Sequence, residues 1–287
     1  MKIADLLELL FLAAIWSAAF LLTRIAVPEL KPVLLIELRV SLAGLVFLIW
    51  AIRFDLLTQI KSQLVPLLLL GCINLVIPLL LFAYAALYLP AGFNSILNAT
   101  APLFGTIIAA VWLSEKLTLA QFSGLVLGFA GVTILVGWTN ITITLPVTLA
   151  ILAGLLASLL YAVAATYTNQ KLRNISSMAI ATGSLISAAI VLLPVTPFFL
   201  PNTFPSFKAI VATIILALVS TATGNIVYFR LIKKIGVGKA LTVTYLVPVL
   251  AMIWGAAFLK ESITVSMIIG CSLILSGIAI VYFPRSR

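Results

Sequence analysis

The sequence predicts an all-α membrane protein. Ten transmembrane helices form two inverted five-helix repeats, with both termini cytoplasmic. Three observations predict this. First, hydrophobic residues make up 64% of the chain and charged residues 8%, with a mean hydropathy of +1.31. A soluble domain is roughly 45–50% apolar, so the polar atoms here are too few to cover a water-facing surface. Second, apolar runs of about 20 residues, enough to cross roughly 30 Å of hydrocarbon, recur along the whole chain. Third, a long stretch of the first half returns in the second without a gap.

The segments follow in order as 6–27, 33–52, 64–89, 91–113, 119–138, 146–170, 177–199, 207–231, 237–259 and 265–283. A membrane β-barrel would instead read as short alternating strands. The first segment begins "MKIADLLELLFLAAIW", with two acids and no small-residue cleavage site, so it reads as a membrane helix and not a removed signal. It carries Trp16 and Ser17. The second carries Glu37 and Arg39, placed by count near its outer end, and the third carries Asn74 and Tyr84. In the fourth, Asn94, Asn98 and Gly105 share one helical face beside Pro102. The fifth contains "GLVLG" (124–128), a spacing that lets helices approach closely. The sixth holds Ser158, Tyr161 and Tyr167, and the seventh is apolar and runs into the Pro-rich loop 194–206. The eighth holds Ser220, Thr223, Asn225 and Tyr228; the ninth holds Thr244 and Tyr245 beside Pro248. No loop is long enough for a soluble catalytic domain, so the work is expected inside the bilayer.

Orientation follows from Lys and Arg, which are enriched in cytoplasmic loops. With the N-terminus inside, twelve fall on the inner side (2, 53, 61, 116, 171, 173, 230, 233, 234, 239, 285 and 287) and five on the outer (24, 31, 39, 208 and 260). The same rule accounts for the net charge of +10, and no basic domain suggests nucleic acid as a partner. There is no His, and Cys72 and Cys271 both lie in apolar runs. They read as buried small hydrophobes, and neither a disulfide framework, a metal site nor a cofactor is expected.

The repeat has a constant offset of 146 (238 − 92). Gly92, Pro102, Ile107, Ala110, Leu113, Glu115, Thr118, Gly124, Leu127, Gly131 and Ile134 meet Gly238, Pro248, Ile253, Ala256, Leu259, Glu261, Thr264, Gly270, Leu273, Gly277 and Ile280. Apolar bias matches Leu with Ile, but it does not readily align a Pro, a Glu and three Gly. The division predicted is 1–140 and 141–287, five helices each. Five is odd, so the second unit enters the membrane inverted. Inverted repeats recur in secondary transporters.

The motifs "AIWSAAFLLTRIAV" (14–27), "ELR" (37–39), "ATAPLFGTIIAAVWLSEKLT" with "GLVLGFAGV", and the twin "YLVPVLAMIWGAAFLKESIT" with "GCSLILSGI" span the chain. Each twin has a Pro, a Glu thirteen residues on (115 − 102 and 261 − 248), and paired Gly in the next helix. This pattern resembles the drug/metabolite transporter superfamily and its EamA-type family. Tyr161 stands where that family commonly has Trp. The resemblance implies a ten-helix carrier of amino acids, other metabolites or drugs in a prokaryotic cytoplasmic membrane, without enzymatic activity.

A proline within a helix lacks an N–H and crowds the carbonyl four residues earlier. Matched Pro-interrupted helices point to a central binding site, the alternative being packing kinks. The candidate cavity is Trp16, Ser17, Asn74, Tyr84, Asn94, Asn98, Ser158, Tyr161, Thr223, Asn225, Tyr228, Thr244 and Tyr245, with kinks at Pro102 and Pro248. An uncharged, aromatic cavity suits a neutral or zwitterionic solute, amino acids first, moved by alternating access in the direction of export. A multidrug or cation exporter and a channel-like facilitator are the alternatives. Glu115 and Glu261 each precede a helix and read as its cap or dipole partner, at structural or gate corners. The partners expected are a small-molecule substrate and the lipid bilayer, in a monomer or weak homodimer.

Overall fold

A computed structural model describes residues 3–112, 114, 116–138, 141–142, 144–240 and 242–282. These residues form helices and no strand. The helices are α1 (Ile3–Arg53), α2 (Leu57–Ser62), α3 (Leu64–Tyr88), α4 (Ala91–Trp112), α5 (Leu119–Gly137), α6 (Leu145–Lys171), α7 (Ser177–Leu192), α8 (Phe207–Ile235), α9 (Val237–Ala240), α10 (Val243–Leu259) and α11 (Val265–Tyr282). Among the described residues, seven are long and apolar enough to cross a membrane: α1, α3, α4, α5, α6, α8 and α11. Large apolar side chains such as Leu119, Phe122 and Val126 point outward, as lipid-facing residues must. The chain is an integral membrane protein.

Helix α1 is 51 residues long and breaks at Lys31, where φ is 60° and ψ is 159°. Pro32 explains the break, since a residue before proline is steered away from helical angles. Three bonds anchor the corner. The Lys31 ammonium donates to the Leu200 carbonyl (3.0 Å). Ser206 donates through its backbone N–H to Glu29 Oε2 (2.6 Å) and through its hydroxyl to Oε1 (2.8 Å). The same Ser206 caps α8 by accepting from Ala209 N–H. At the other end of α1, Glu8 pairs with Arg230 (3.1 Å) and Lys234 (2.7 Å) of α8.

The seventh segment ends earlier than its apolar run. Helix α7 stops at Leu192, and a short 3₁₀ turn, Thr196–Phe199, follows. Pro194 and Pro197 cannot continue an α-helix. The ninth segment is divided, α9 ending at Ala240 and α10 starting at Val243.

Helices α5 and α11 pack antiparallel on glycine. A Cβ on Gly124 would sit 2.6 Å from the Gly277 carbonyl oxygen, and one on Gly131 would sit 2.7 Å from that of Gly270. The offset of 146 pairs 124 with 270 and 131 with 277, so each contact joins a member of one pair to a member of the other. Gly128, the other end of "GLVLG", is filled by the Leu103 side chain. This small-residue face is therefore occupied within the chain. The residues that follow the fourth and ninth segments also agree. Thr118 accepts from Gln121 N–H in a capping box at α5, and Thr264 accepts from Met267 N–H at α11 (3.3 Å).

Two wide, π-helical turns interrupt α3 and α8, at Gly71–Val76 and Leu216–Thr223. Adding 146 to the first gives 217–222, inside the second. In α8 the Thr221 and Thr223 hydroxyls each donate to a carbonyl five residues back, at Leu216 and Leu218 (both 2.9 Å). Such turns frequently mark functional sites.

Candidate functional site

A cavity of about 820 Å³ lies between α1, α3, α4, α6, α8, α10 and α11. Its wall runs from Thr23 and Asn94 to Asn169, Gln170, Thr242 and Tyr282. The latter four lie at or beside the ends of α6, α10 and α11.

Eight of the sequence candidates line it: Trp16, Asn74, Asn94, Asn98, Tyr161, Asn225, Thr244 and Tyr245. Pro102 and Pro248 also line it. Asn94 is buried, and its amide donates to the Phe82 carbonyl (3.0 Å). Asn225 donates to the Thr221 carbonyl (2.8 Å). Tyr161 packs on Phe82 at 5.8 Å with the rings tilted by 35°, and Phe82 meets Phe20 edge-on at 6.2 Å. The Trp16 indole lies against Gly224, where a Cβ would come within 2.5 Å of Nε1.

Five candidates lie elsewhere. Ser17 is fully buried; its hydroxyl donates to the Ala14 carbonyl (2.9 Å) and accepts from the Trp254 indole (2.9 Å), tying α10 to α1. Ser158 is also fully buried and donates to the carbonyls of Leu97 (2.8 Å) and Gly154 (2.9 Å). It fastens α6 to the interruption in α4. Tyr84 pairs with Tyr88 at 5.3 Å, away from the cavity. Thr223 is exposed, and its hydroxyl serves the wide turn. Tyr228 stands behind Trp16, at a ring distance of 5.0 Å. The wide turn in α8 accounts for the last two, because it shifts helical phase between Leu216 and Thr223.

The two prolines differ in setting. Helical geometry in α4 lapses after Asn98 and resumes at Ala101, so Pro102 sits in the first turn of a new helical stretch. The Leu97 carbonyl there accepts from Thr100 N–H (3.0 Å), Thr100 Oγ1 (2.6 Å) and Ser158 Oγ. Pro248 lies within continuous helix.

The expectation of an uncharged cavity is incorrect. Arg39 lines it, and no other charged side chain does among the described residues. Arg39 stands eight residues past the break at Lys31 (39 − 31), about 12 Å along the helix at 1.5 Å per residue. The apolar boundary at residue 33 alone places it near the outer end. Its Nε donates to Thr221 Oγ1 (2.9 Å). Glu37, two residues earlier, faces elsewhere; it is buried and accepts from Ser41 (2.7 Å).

Beyond the Thr23 end, the chain is bridged. Glu261 Oε2 accepts from the backbone N–H of Ala91, the first residue of α4 (2.9 Å). Its Oε1 lies 3.7 Å from Arg24 Nε, and Arg24 also donates to the Ala86 carbonyl. Burial raises the Glu261 carboxyl above its ordinary range, opposed by the Ala91 N–H and Arg24. Glu261 thus serves α4 of the first half, while Thr264 caps the helix after it. Glu115 lies outside the described residues.

Comparison with known proteins fits this architecture. The model of the EamA-like transporter family matches twice, over residues 5–137 and 148–283. An uncharacterized transporter, YoaV, of Bacillus subtilis is 27% identical over 98% of each chain. A protein of Streptantibioticus cattleyicolor named a "probable terminal-alkyne amino-acid exporter" is 26% identical over 70% of this chain and 67% of its own. A crystal structure superposes with a TM-score of 0.69 at 18% identity, covering 98% of each chain, and shares the fold. With matches across both halves, the chain belongs to the EamA-like transporter family.

Proposed function

We propose that the protein is a secondary transporter that exports amino acids or similar small zwitterionic metabolites by alternating access. The observation that carries this reading is a cavity built from both halves, bridged beyond one end by Glu261 and Arg24 while its wall reaches the helix ends at Gln170 and Tyr282. With both termini cytoplasmic, the bridged end is the outer one and the cavity faces inward. The two limbs of α1, with α3 to α8, α10 and α11, supply ten spans in units 1–140 and 141–287. The antiparallel meeting of Gly124 with Gly277 and Gly131 with Gly270 supports an inverted repeat. Exchanging the roles of the halves would then close the inner end and open the outer. The membrane is the cytoplasmic membrane of a prokaryote, and the amino-acid exporter among the relatives supports the substrate class.

Proteoliposome counterflow tests this reading. Saturable uptake of a labelled amino acid, accelerated by unlabelled amino acid inside, is the expected result. Flux that rises linearly with concentration and shows no trans-acceleration would leave a channel. Asn98→Leu and Asn225→Leu should lower the flux without lowering membrane insertion.

A further inference from the structure

The cavity holds a guanidinium with no acid beside it. The ion pairs among the described residues use Arg24, Arg230 and Lys234, and Arg39 is in none of them. No Asp or Glu belongs to the described cavity wall. Of the five N–H donors of a guanidinium, Arg39 directs Nε to Thr221 Oγ1. Thr221 in turn donates to Leu216, so its hydroxyl is held in place by the wide turn of α8. That bond orients the group while leaving the two Nη atoms without a hydrogen-bonded partner among the described residues. A fixed cation inside a membrane protein is costly unless water or an anion meets it. A planar guanidinium fork matches a carboxylate with two parallel bonds, which a lysine ammonium cannot reproduce. The neighbours Tyr161 and Phe82 add an aromatic wall for an apolar side chain.

We infer that Arg39 is the carboxylate anchor of the transport site, and that the cavity selects its substrate by a free carboxylate and not by an amino group. The substrate class is small organic monocarboxylates, of which α-amino acids are the zwitterionic members. Their 2-oxo and N-acyl derivatives qualify equally, since no fixed acid in the described wall demands an ammonium. Amides and amines, which lack the carboxylate, do not qualify. This rests on the transporter reading above and narrows it.

The test compares four relatives of one side chain on the purified full-length protein in proteoliposomes: phenylalanine, phenylpyruvate, phenylalanine amide and phenethylamine. Uptake of the first two, with the last two neither transported nor competing, is expected. Arg39→Gln should weaken competition by the acids roughly ten- to a hundredfold, the range of a charged hydrogen bond. Arg39→Lys should recover part of it, and both variants should run as monodisperse protein in detergent. The comparison of acid with amide needs no variant, so misfolding of either mutant does not remove the test. Equal transport of phenylalanine and its amide would overturn the anchor while leaving the amino-acid transporter intact. Failure to transport any carboxylate in a panel extended to aliphatic acids would overturn both.

Discussion

Gly124 and Gly277 meet so closely that neither helix has room for a single further carbon. A Cβ on Gly277 would lie 2.5 Å from the Gly124 carbonyl oxygen, and the reverse substitution gives 2.6 Å. Gly277→Val should therefore destabilise the protein by about 1–3 kcal/mol, the usual cost of overpacking. Thermal unfolding in detergent measures it. The double change Gly124→Ala with Gly277→Ala should cost less than the sum of the singles, because one separation of α5 from α11 relieves both. Gly137→Ala, with nothing within 4 Å of its Cβ, serves as the neutral control. Unaltered melting of Gly277→Val would refute the close packing.

Glu261 gives a pH signature. Burial opposes its charge more than the Ala91 N–H and Arg24 favour it, so its folded pKa lies above the usual 4.5. For an acid shifted in this direction, the added stability is complete below 4.5 and fades as pH rises through the folded pKa. Glu261→Gln can still accept from Ala91 but does not titrate. The stability of the native protein relative to this variant should accordingly decrease from about pH 4.5 toward neutrality. Parallel melting curves across that interval would count against the shift.

Gly224 seats the Trp16 indole. Gly224→Val should push that ring toward the cavity and reduce flux several-fold, with protein yield in the membrane maintained. Initial-rate uptake would show this, and native rates would indicate that Trp16 can move aside freely.

The two prolines should respond differently to alanine. Pro102 occupies a helical first turn, where proline is tolerated, so Pro102→Ala should leave the melting temperature nearly unchanged. Pro248 interrupts a continuous helix, where proline costs about 3 kcal/mol. Pro248→Ala should raise the melting temperature and slow turnover. Equal responses in both assays would contradict the different settings.

The membrane class and the positions of most helices were legible because they depend on apolar run length. The 146-residue offset is readable in sequence because Pro, Glu and Gly cannot be interchanged with Leu. Depth inside the fold was less so. Arg39 lies six residues (39 − 33) inside the apolar boundary at residue 33, which reads as near the outer end, whereas the cavity wall includes it. The partner of Glu261 was also hidden, since Ala91 is 170 residues away and donates through its backbone. Ser17 and Ser158 look like cavity hydroxyls in sequence, yet each spends its bonds on helix-to-helix fastening.

The wide turns in α3 and α8 have one more consequence. A helix with such a turn carries one residue beyond what an α-helix of the same span would need, so its two ends are out of register. Each α-helical residue turns the chain by about 100°. Deleting one residue within Leu216–Thr223 would remove that surplus and leave both flanks in place, whereas relaxing the turn to ordinary pitch with every residue kept would swing everything after it by about that angle. Asn225 would then leave the cavity, with apolar neighbours taking its place. A change of pitch in one turn, without any new chemistry, would thus serve as a rotary switch between a polar wall and a greasy one.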